Sequence, residues 1–139
     1  MRKVRGYIFS RSFMGERVPQ HIQNMVIRNY CNEKKLHYLL SATEYSMQNS
    51  SLILEEVINE LKNIHGIVAY SLFQLPENDI MRLKILKIFL KRKKKFFFAN
   101  ENFIFSSKND LIKLENIWKI KKILPDCLTV KLFKENFDG

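Results

Sequence analysis

The chain has 139 residues, a length typical of one domain, and we expect residues 1–139 to fold as a single domain. An apolar fraction of 46% and an aromatic fraction of 12% predict a packed core and exclude a disordered chain. The formal net charge of +10 favours an anionic partner such as nucleic acid, a phosphorylated metabolite or a membrane surface. Ordinary solubilising lysines would give the same charge, and both interpretations stay open.

Cysteine and histidine usage predicts no metal site and no cofactor. Cys31 and Cys127 do not form a C-x-x-C motif, and neither has a histidine at metal-ligand spacing. We interpret both as reduced thiols of the core. No signal-peptide segment follows the basic N-terminus, and no window approaches about 18 consecutive apolar residues. We therefore expect a cytoplasmic protein without a membrane partner.

Apolar periodicity predicts strands that alternate with helices through short loops. The predicted strands cover 3–9, 35–42, 66–73, 96–100 and 103–107, with a further short strand at 129–133. The predicted helices cover 19–32 and 52–61, a third begins at 79 and finishes in the run 91–95, and a fourth covers 112–123. Ser51 and Asn78 are expected to cap the second and third of these helices.

This alternation predicts an α/β fold in three layers, with an open, mostly parallel sheet covered by helices on both faces, as in flavodoxin-like proteins. Ligands of such sheets bind at the carboxyl ends of the strands. The rule selects four polar segments, at 10–17, 41–50, 71–78 and 99–102.

The first segment combines hydroxyl groups and cations just before a helix. Arg11 and Arg17 are candidates for holding an anion, since a helix N-terminus and a guanidinium both favour phosphate or carboxylate. Gln20 lies in the first turn of that helix, while Ser10 and Ser12 flank Arg11 and are candidate catalytic hydroxyls. The segment matches no glycine-rich phosphate-binding motif, and an ordinary hydrated loop is the alternative.

The other three segments supply acids and hydrogen-bonding groups. Glu44 and Glu77 are candidate acid/base residues, although a solvated surface carboxylate and a helix-initiating glutamate are the simpler interpretations. The predicted hydroxyl-binding or ligand-binding side chains are Ser46, Ser71, Gln74 and Asn100.

Two further features have both a functional and a structural interpretation. The run KRKKK at 91–95 resembles a nucleic-acid patch, but it forms the C-terminal end of a predicted helix, where cations stabilise the last carbonyl groups. We favour the helix-end interpretation. Trp118, among isoleucines, is either a core residue or a dimer contact.

Four stretches occur in the order seen in the catalytic domain of the serine recombinases, the resolvases and invertases. They are RGYIFSRS, a helix starting PQHIQ, the loop SATEYSMQNSS and the strand end SLFQLPEN. The chain resembles that family over about residues 3 to 105. The resemblance implies a resolvase-like fold and frequent self-association, so we expect a homo-oligomer, most simply a dimer.

The chemistry of that family does not carry over to this sequence. Recombination needs an arginine cluster that holds the scissile phosphate and stabilises its charge. The nucleophilic serine of the family falls near Arg11, and one arginine falls within 48–51. The remaining family arginines and an acid fall on Phe9, Phe73, Gln74 and Glu77. The resemblance therefore implies a fold and not strand exchange.

The segments 5–11, 71–76 and 96–102 are also similar to short proteins of bacterial surface-polysaccharide gene clusters. This second resemblance implies carbohydrate biosynthesis. Our leading hypothesis is therefore a protein that binds or modifies a phosphorylated, acidic or nucleotide-activated sugar at the strand ends, with isomerisation, epimerisation or elimination as candidate reactions. The alternatives are a divergent recombinase-like DNA-binding protein and a non-catalytic dimeric adaptor.

Overall fold

The computed structural model describes residues 2–44 and 52–123, and the side chain of Leu52 lies outside that description. These residues form five strands and four helices, and two short 3-10 turns span Glu60–Lys62 and Leu72–Gln74. The elements are β1 (Arg2–Phe9), α1 (Gln20–Lys34), β2 (Leu36–Glu44), α2 (Leu52–Asn59), β3 (Gly66–Ala69), α3 (Asp79–Arg92), β4 (Lys95–Phe98), β5 (Phe103–Phe105) and α4 (Lys108–Ile123).

The five strands form one sheet in the order β2-β1-β3-β4-β5. Strands β1 to β4 are parallel, and β5 pairs antiparallel with β4. Because parallel strands run in one direction, their carboxyl ends lie along one edge of the sheet and their amino ends along the opposite edge. The predicted mostly parallel α/β sheet is confirmed.

Helices cover both faces of this sheet. Side chains Val4, Val68 and Phe97 point to one face, where they pack with Ile27 and Tyr30 of α1. The neighbouring residue Phe96 points to the other face, because side chains alternate along a strand. There its ring lies 4.8 Å from that of Phe89 on α3. The three layers follow from strands that are apolar on both sides.

Close backbone approach explains one glycine of the sheet. A Cβ atom at Gly66 would collide with the carbonyl oxygen of Lys95, its partner in β4. Only glycine permits this spacing between β3 and β4 at the amino edge. A second glycine, Gly15, lies with Met14 in a tight turn, where both have positive φ angles of 79° and 48°.

The prediction of 66–73 as one strand was too long. β3 ends at Ala69, because Ser71 begins the next element: its side chain accepts a hydrogen bond from the N–H of Phe73 at 3.1 Å. Gln74 completes the capping box by accepting from the N–H of Ser71. The chain therefore turns sharply where the apolar pattern still continues.

The chain divides into two compact units, residues 1–107 and 108–139. The first contains the whole sheet with α1, α2 and α3. The second contains α4, in which Leu114 and Trp118 are fully buried. A single domain over 1–139 stays a prediction. Within 2–44 and 52–123, no helix has the length and apolar character that crossing a membrane would require.

Candidate functional site

The turn after β1 and the turn after β3 converge at the carboxyl edge of the sheet. Between them lies a cavity of about 310 Å³. Its lining combines the end of β1, the following loop, the 3-10 turn and the start of α3: Tyr7, Phe9, Arg11, Phe13, Phe73, Gln74, Leu75, Pro76, Glu77, Asn78 and Met81. The sequence rule that selected the segments 10–17 and 71–78 thus selected two walls of one cavity.

Aromatic and apolar side chains dominate this cavity. The rings of Phe9 and Phe13 meet edge to face at 5.7 Å, and Phe9 makes a similar contact with Tyr7. The guanidinium of Arg11 lies 4.2 Å from the centre of the Phe9 ring, a favourable cation–π distance. The charged groups of the lining are Arg11 and Glu77, one of each sign.

A buried pair of glutamines fastens the two walls together. The Gln74 Nε2 group donates to Gln23 Oε1 at 2.7 Å. Gln23, on α1, also accepts from the N–H of Phe9 and donates to the carbonyl oxygens of Phe9 and Val18. Both amides are at most 1% exposed. The Gln74 amide is therefore committed to the interior, where it fixes the end of β1 against the turn after β3.

A buried arginine holds the second wall. Arg82 of α3 is 1% exposed and donates to the carbonyl oxygens of Pro76 and Glu77 at 3.0 and 3.2 Å. Its other terminal nitrogen forms an ion pair with Asp79 at 2.6 Å. These bonds stabilise the backbone of the turn that lines the cavity, and Asn78 caps the helix by accepting from the N–H of Met81.

Glu44 lies at the end of β2, 1% exposed. Its carboxylate accepts from the Tyr7 hydroxyl at 2.8 Å and from the N–H groups of Ile53 and Leu54 at 3.3 Å. Burial raises the pKa of Tyr7 well above its ordinary value of 10.0, and the Glu44 carboxylate raises it further. The carboxylate thus joins β1, β2 and the first turn of α2, where negative charge is favourable.

A third polar contact joins the ends of β3 and β4. The Ser71 hydroxyl donates to the Glu101 carboxylate at 2.7 Å, and Glu101 also accepts from the N–H of Leu72 at 2.8 Å. Asn100 donates to the same carboxylate at 3.3 Å and is exposed. Ser71 and Asn100 are therefore neighbours through Glu101.

The other predicted site residues lie around the cavity rather than in its lining. The Ser10 hydroxyl donates to the Glu44 carbonyl oxygen at 3.0 Å, while Ser12, Arg17 and Gln20 are exposed. Ser46 lies outside the described residues. Of the predicted residues, the structure brings Arg11, Gln74 and Glu77 together in the lining. That any of these residues binds a ligand or performs catalysis stays a prediction.

Sequence reasoning missed Gln23, Arg82 and Glu101. Two of them had a signal. Arg82 precedes Ile85, Leu86 and Phe89 at helical spacing, which places a cation on the buried face of α3. Gln23 lies four residues before Ile27 on the buried face of α1. A polar residue on an apolar helix face requires a buried partner.

Comparison with solved structures identifies the class of this fold. No protein-family model matches the chain, and no curated protein matches it significantly. Among solved structures, the N-terminal catalytic domain of TP901-1 integrase has a TM-score of 0.63 and 19% identity, covering 88% of this chain and 97% of that one. A resolvase family site-specific recombinase from Streptococcus pneumoniae has a TM-score of 0.61 and 10% identity, covering 98% and 99%.

These similarities define the class of fold as that of the resolvase-type recombinase catalytic domain. The predicted resolvase-like fold is confirmed. The leading hypothesis of carbohydrate biosynthesis was wrong, because the structural neighbours are recombinase domains, and nothing supports the polysaccharide-cluster resemblance or a sugar partner. That hypothesis depended on the three short segments 5–11, 71–76 and 96–102.

Proposed function

We propose that this chain is a recombinase-fold protein that binds double-stranded DNA and performs no strand exchange. The proposal joins two observations of different kinds. The fold is that of proteins described as an integrase and a site-specific recombinase. At the carboxyl edge of the sheet, the positions that match the catalytic residues of the recombinase pattern carry other side chains than that pattern has.

The observation that carries the proposal is the composition of the cavity. Phe9 and Phe73 occupy places where the recombinase pattern has an arginine and an acid, and Glu77 occupies an arginine place. A phosphoryl-transfer site must stabilise the charge of the phosphate that reacts. The Glu77 carboxylate repels a phosphate, and the rings of Phe9 and Phe73 do not stabilise its charge. The Gln74 amide donates its hydrogen bond to Gln23 at 2.7 Å.

The net charge supports DNA as the partner. A formal charge of +10 on 139 residues attracts polyanions, and phosphate contacts supply most of the affinity of proteins that bind DNA without reading its sequence. Such binding has a recognisable signature, because each neutralised phosphate releases counterions. The affinity therefore falls steeply as the salt concentration rises.

Fluorescence anisotropy with a labelled duplex tests this function. We expect binding at about 50 mM salt that weakens by orders of magnitude at about 200 mM. Incubation with supercoiled plasmid should give neither nicked product nor a covalent protein–DNA adduct. Absence of duplex binding at the lower salt concentration would refute the proposal, and a covalent adduct would refute its second half.

Self-association is a second part of the proposal. Ile112, Ile120 and Ile123 of α4 are 62%, 59% and 55% exposed, whereas Trp118, which the sequence offered as a dimer contact, is fully buried. Exposed isoleucines on one helix favour a second copy of the chain as their partner. Light scattering after gel filtration should give twice the monomer mass, and Ile120→Lys should return the monomer mass. A monomeric wild type would remove this part.

A further inference from the structure

The amino edge of the sheet carries a dense group of cations. We call it the amino-end rim and define it by the segments 2–3, 34–37, 62–65 and 91–95, which begin or immediately precede β1, β2, β3 and β4. These segments contain ten lysines and arginines, two histidines and no aspartate or glutamate. They are far apart in sequence, so only the sheet brings them into one row.

Backbone bonds establish that row. Lys3 pairs with His37 of β2 in the parallel register. On its other side, the N–H of Lys3 donates to His65 Nδ1 at 2.9 Å, and the N–H of His65 donates to the carbonyl oxygen of Lys3 at 2.8 Å. The N–H of Lys95 donates to the carbonyl oxygen of His65 at 3.4 Å. The rim is therefore continuous across four strands.

The distribution of charge separates this rim from the rest of the chain. Outside the rim the sequence has fourteen lysines and arginines and fourteen aspartates and glutamates. The whole formal net charge of +10 thus resides in four short segments at one edge of the sheet. Such a concentration of cations at one edge is what a polyanion-binding surface requires.

Hydrogen bonds to backbone carbonyl groups of neighbouring segments engage part of the run 91–95. The Arg92 side chain donates to the carbonyl oxygen of Ile58 at 3.1 Å, and that of Lys94 donates to the carbonyl oxygen of Ile64 at 2.9 Å. Lys34 and Lys91 lie in the last turns of α1 and α3, and Lys62 lies in the 3-10 turn before β3, positions where a cation also favours the helix dipole. These three are exposed and, within the described residues, make no side-chain hydrogen bond or ion pair.

We infer that the amino-end rim binds the phosphate backbone of double-stranded DNA, at the edge of the sheet opposite the cavity. Four strands about 4.8 Å apart span roughly 14 Å, a length over which a duplex carries roughly eight phosphate charges. The ten cations of the rim match that number. This inference rests on the proposed function, for which it names the surface.

A membrane surface fits the rim less well than DNA does. Peripheral membrane segments add exposed apolar side chains to their cations. None of the large apolar side chains that are exposed in the described residues lies in the rim segments. A surface of cations without apolar neighbours suits a hydrated, rigid polyanion.

The test compares two triple variants that lose the same charge in the first compact unit. The rim variant is Lys34→Gln/Lys62→Gln/Lys91→Gln, and the matched variant is Arg28→Gln/Lys84→Gln/Lys87→Gln. All six side chains are exposed. Affinity for a labelled duplex is measured by anisotropy at several salt concentrations, with circular dichroism as the check that each variant is folded.

For the rim variant we expect the negative slope of log K against log salt to become less steep by about 2.7, since each lost phosphate contact removes about 0.9. At about 0.1 M salt this corresponds to a loss of affinity of up to about 500-fold. The slope of the matched variant should differ from the wild-type slope by less than about 0.9, the value of one phosphate contact.

The outcomes separate the two proposals. If the wild type binds no duplex at low salt, the proposed function fails and the rim inference fails with it. If the wild type binds and both variants weaken equally, or the matched variant weakens more, the function stands and the rim is refuted. Stronger competition by duplex RNA or by anionic vesicles than by unlabelled duplex DNA would also overturn the assignment of the partner.

Discussion

The two edges of the sheet differ in how their polar groups are used. At the carboxyl edge, Gln23, Glu44 and Gln74 are buried: Gln74 donates to Gln23, and Gln23 and Glu44 accept from backbone N–H groups. At the amino edge, Lys34, Lys62 and Lys91 are exposed and have no such partners in the described residues. The first edge is built for rigidity, and the second has side chains available for a partner.

The difference shows that a shared fold does not fix which edge is functional. Parallel sheets commonly bind ligands at their carboxyl ends, and this sheet has a cavity there. Its lining nevertheless carries few charges, while the whole excess of positive charge lies at the opposite edge. Electrostatics and topology thus point to different edges, and for a polyanionic partner the electrostatic argument is the stronger one.

The largest expected effect on stability comes from breaking the glutamine pair. Gln23→Ala removes four hydrogen bonds and leaves buried groups of Phe9, Val18 and Gln74 unsatisfied. We expect the free energy of unfolding to fall by about 2–4 kcal/mol in urea denaturation. DNA affinity of the folded variant should be unchanged, because the rim is untouched.

Gln20→Ala is the matched control, since Gln20 is exposed on the same helix. It should change the free energy of unfolding by less than about 0.5 kcal/mol. A Gln23→Ala variant as stable as this control would show that the carboxyl edge does not depend on its buried amides.

A smaller effect is expected from neutralising Glu44. Glu44→Gln replaces a carboxylate that accepts from the Tyr7 hydroxyl and from the N–H groups of Ile53 and Leu54 with an amide that also carries donors. We expect a loss of about 1–2 kcal/mol in the free energy of unfolding. Glu56→Gln, at an exposed position of α2, should be nearly neutral. Equal stability of the two variants would contradict the structural role of Glu44.

The smallest effect is a pH dependence in the core between the two edges. Burial raises the pKa of the Cys31 thiol from 9.0 to about 11. Between these values the unfolded chain ionises first, so the folded state binds more protons and the free energy of unfolding falls as pH rises. Tyr30, whose pKa burial raises from 10.0 to about 12, adds to the fall at higher pH.

Denaturation from pH 8 to 10 in a Cys127→Ala background checks this dependence, because one thiol then titrates. With Cys31 present, the free energy of unfolding should fall by on the order of 1 kcal/mol per pH unit above pH 9. With Cys31→Ala added, the fall should shrink in that interval. An identical pH profile for the two proteins would mean that the Cys31 thiol is not desolvated.

Local sequence patterns predict most of the elements of this fold. Apolar runs and helical spacing place β1, α1, β2, α3 and β4 within a few residues of their observed bounds. The order β2-β1-β3-β4-β5 and the antiparallel direction of β5 depend on contacts between distant segments, which periodicity does not encode. Periodicity also made the predicted strand 66–73 longer than β3, because the capping box of Ser71 and Gln74 ends the strand within an apolar run.

The sequence predicts where the candidate surfaces lie better than it predicts what their side chains do. The strand-end rule located Arg11, Gln74 and Glu77 in one cavity. It could not show that Gln74 is bonded to Gln23, 51 positions away. From the sequence alone, the run 91–95 is interpreted as a helix end, because the other cations of the rim lie in three distant segments of the chain. Only the register of the strands brings those cations together.

Lysine protection by DNA tests the central claim most directly. The protein is treated with an amine-acetylating reagent, with and without saturating duplex, and each lysine is quantified by mass spectrometry. We expect duplex DNA to lower the modification of Lys34, Lys62 and Lys91 severalfold and to leave that of Lys84 unchanged. Unaltered modification of the three rim lysines in the DNA complex would contradict that claim.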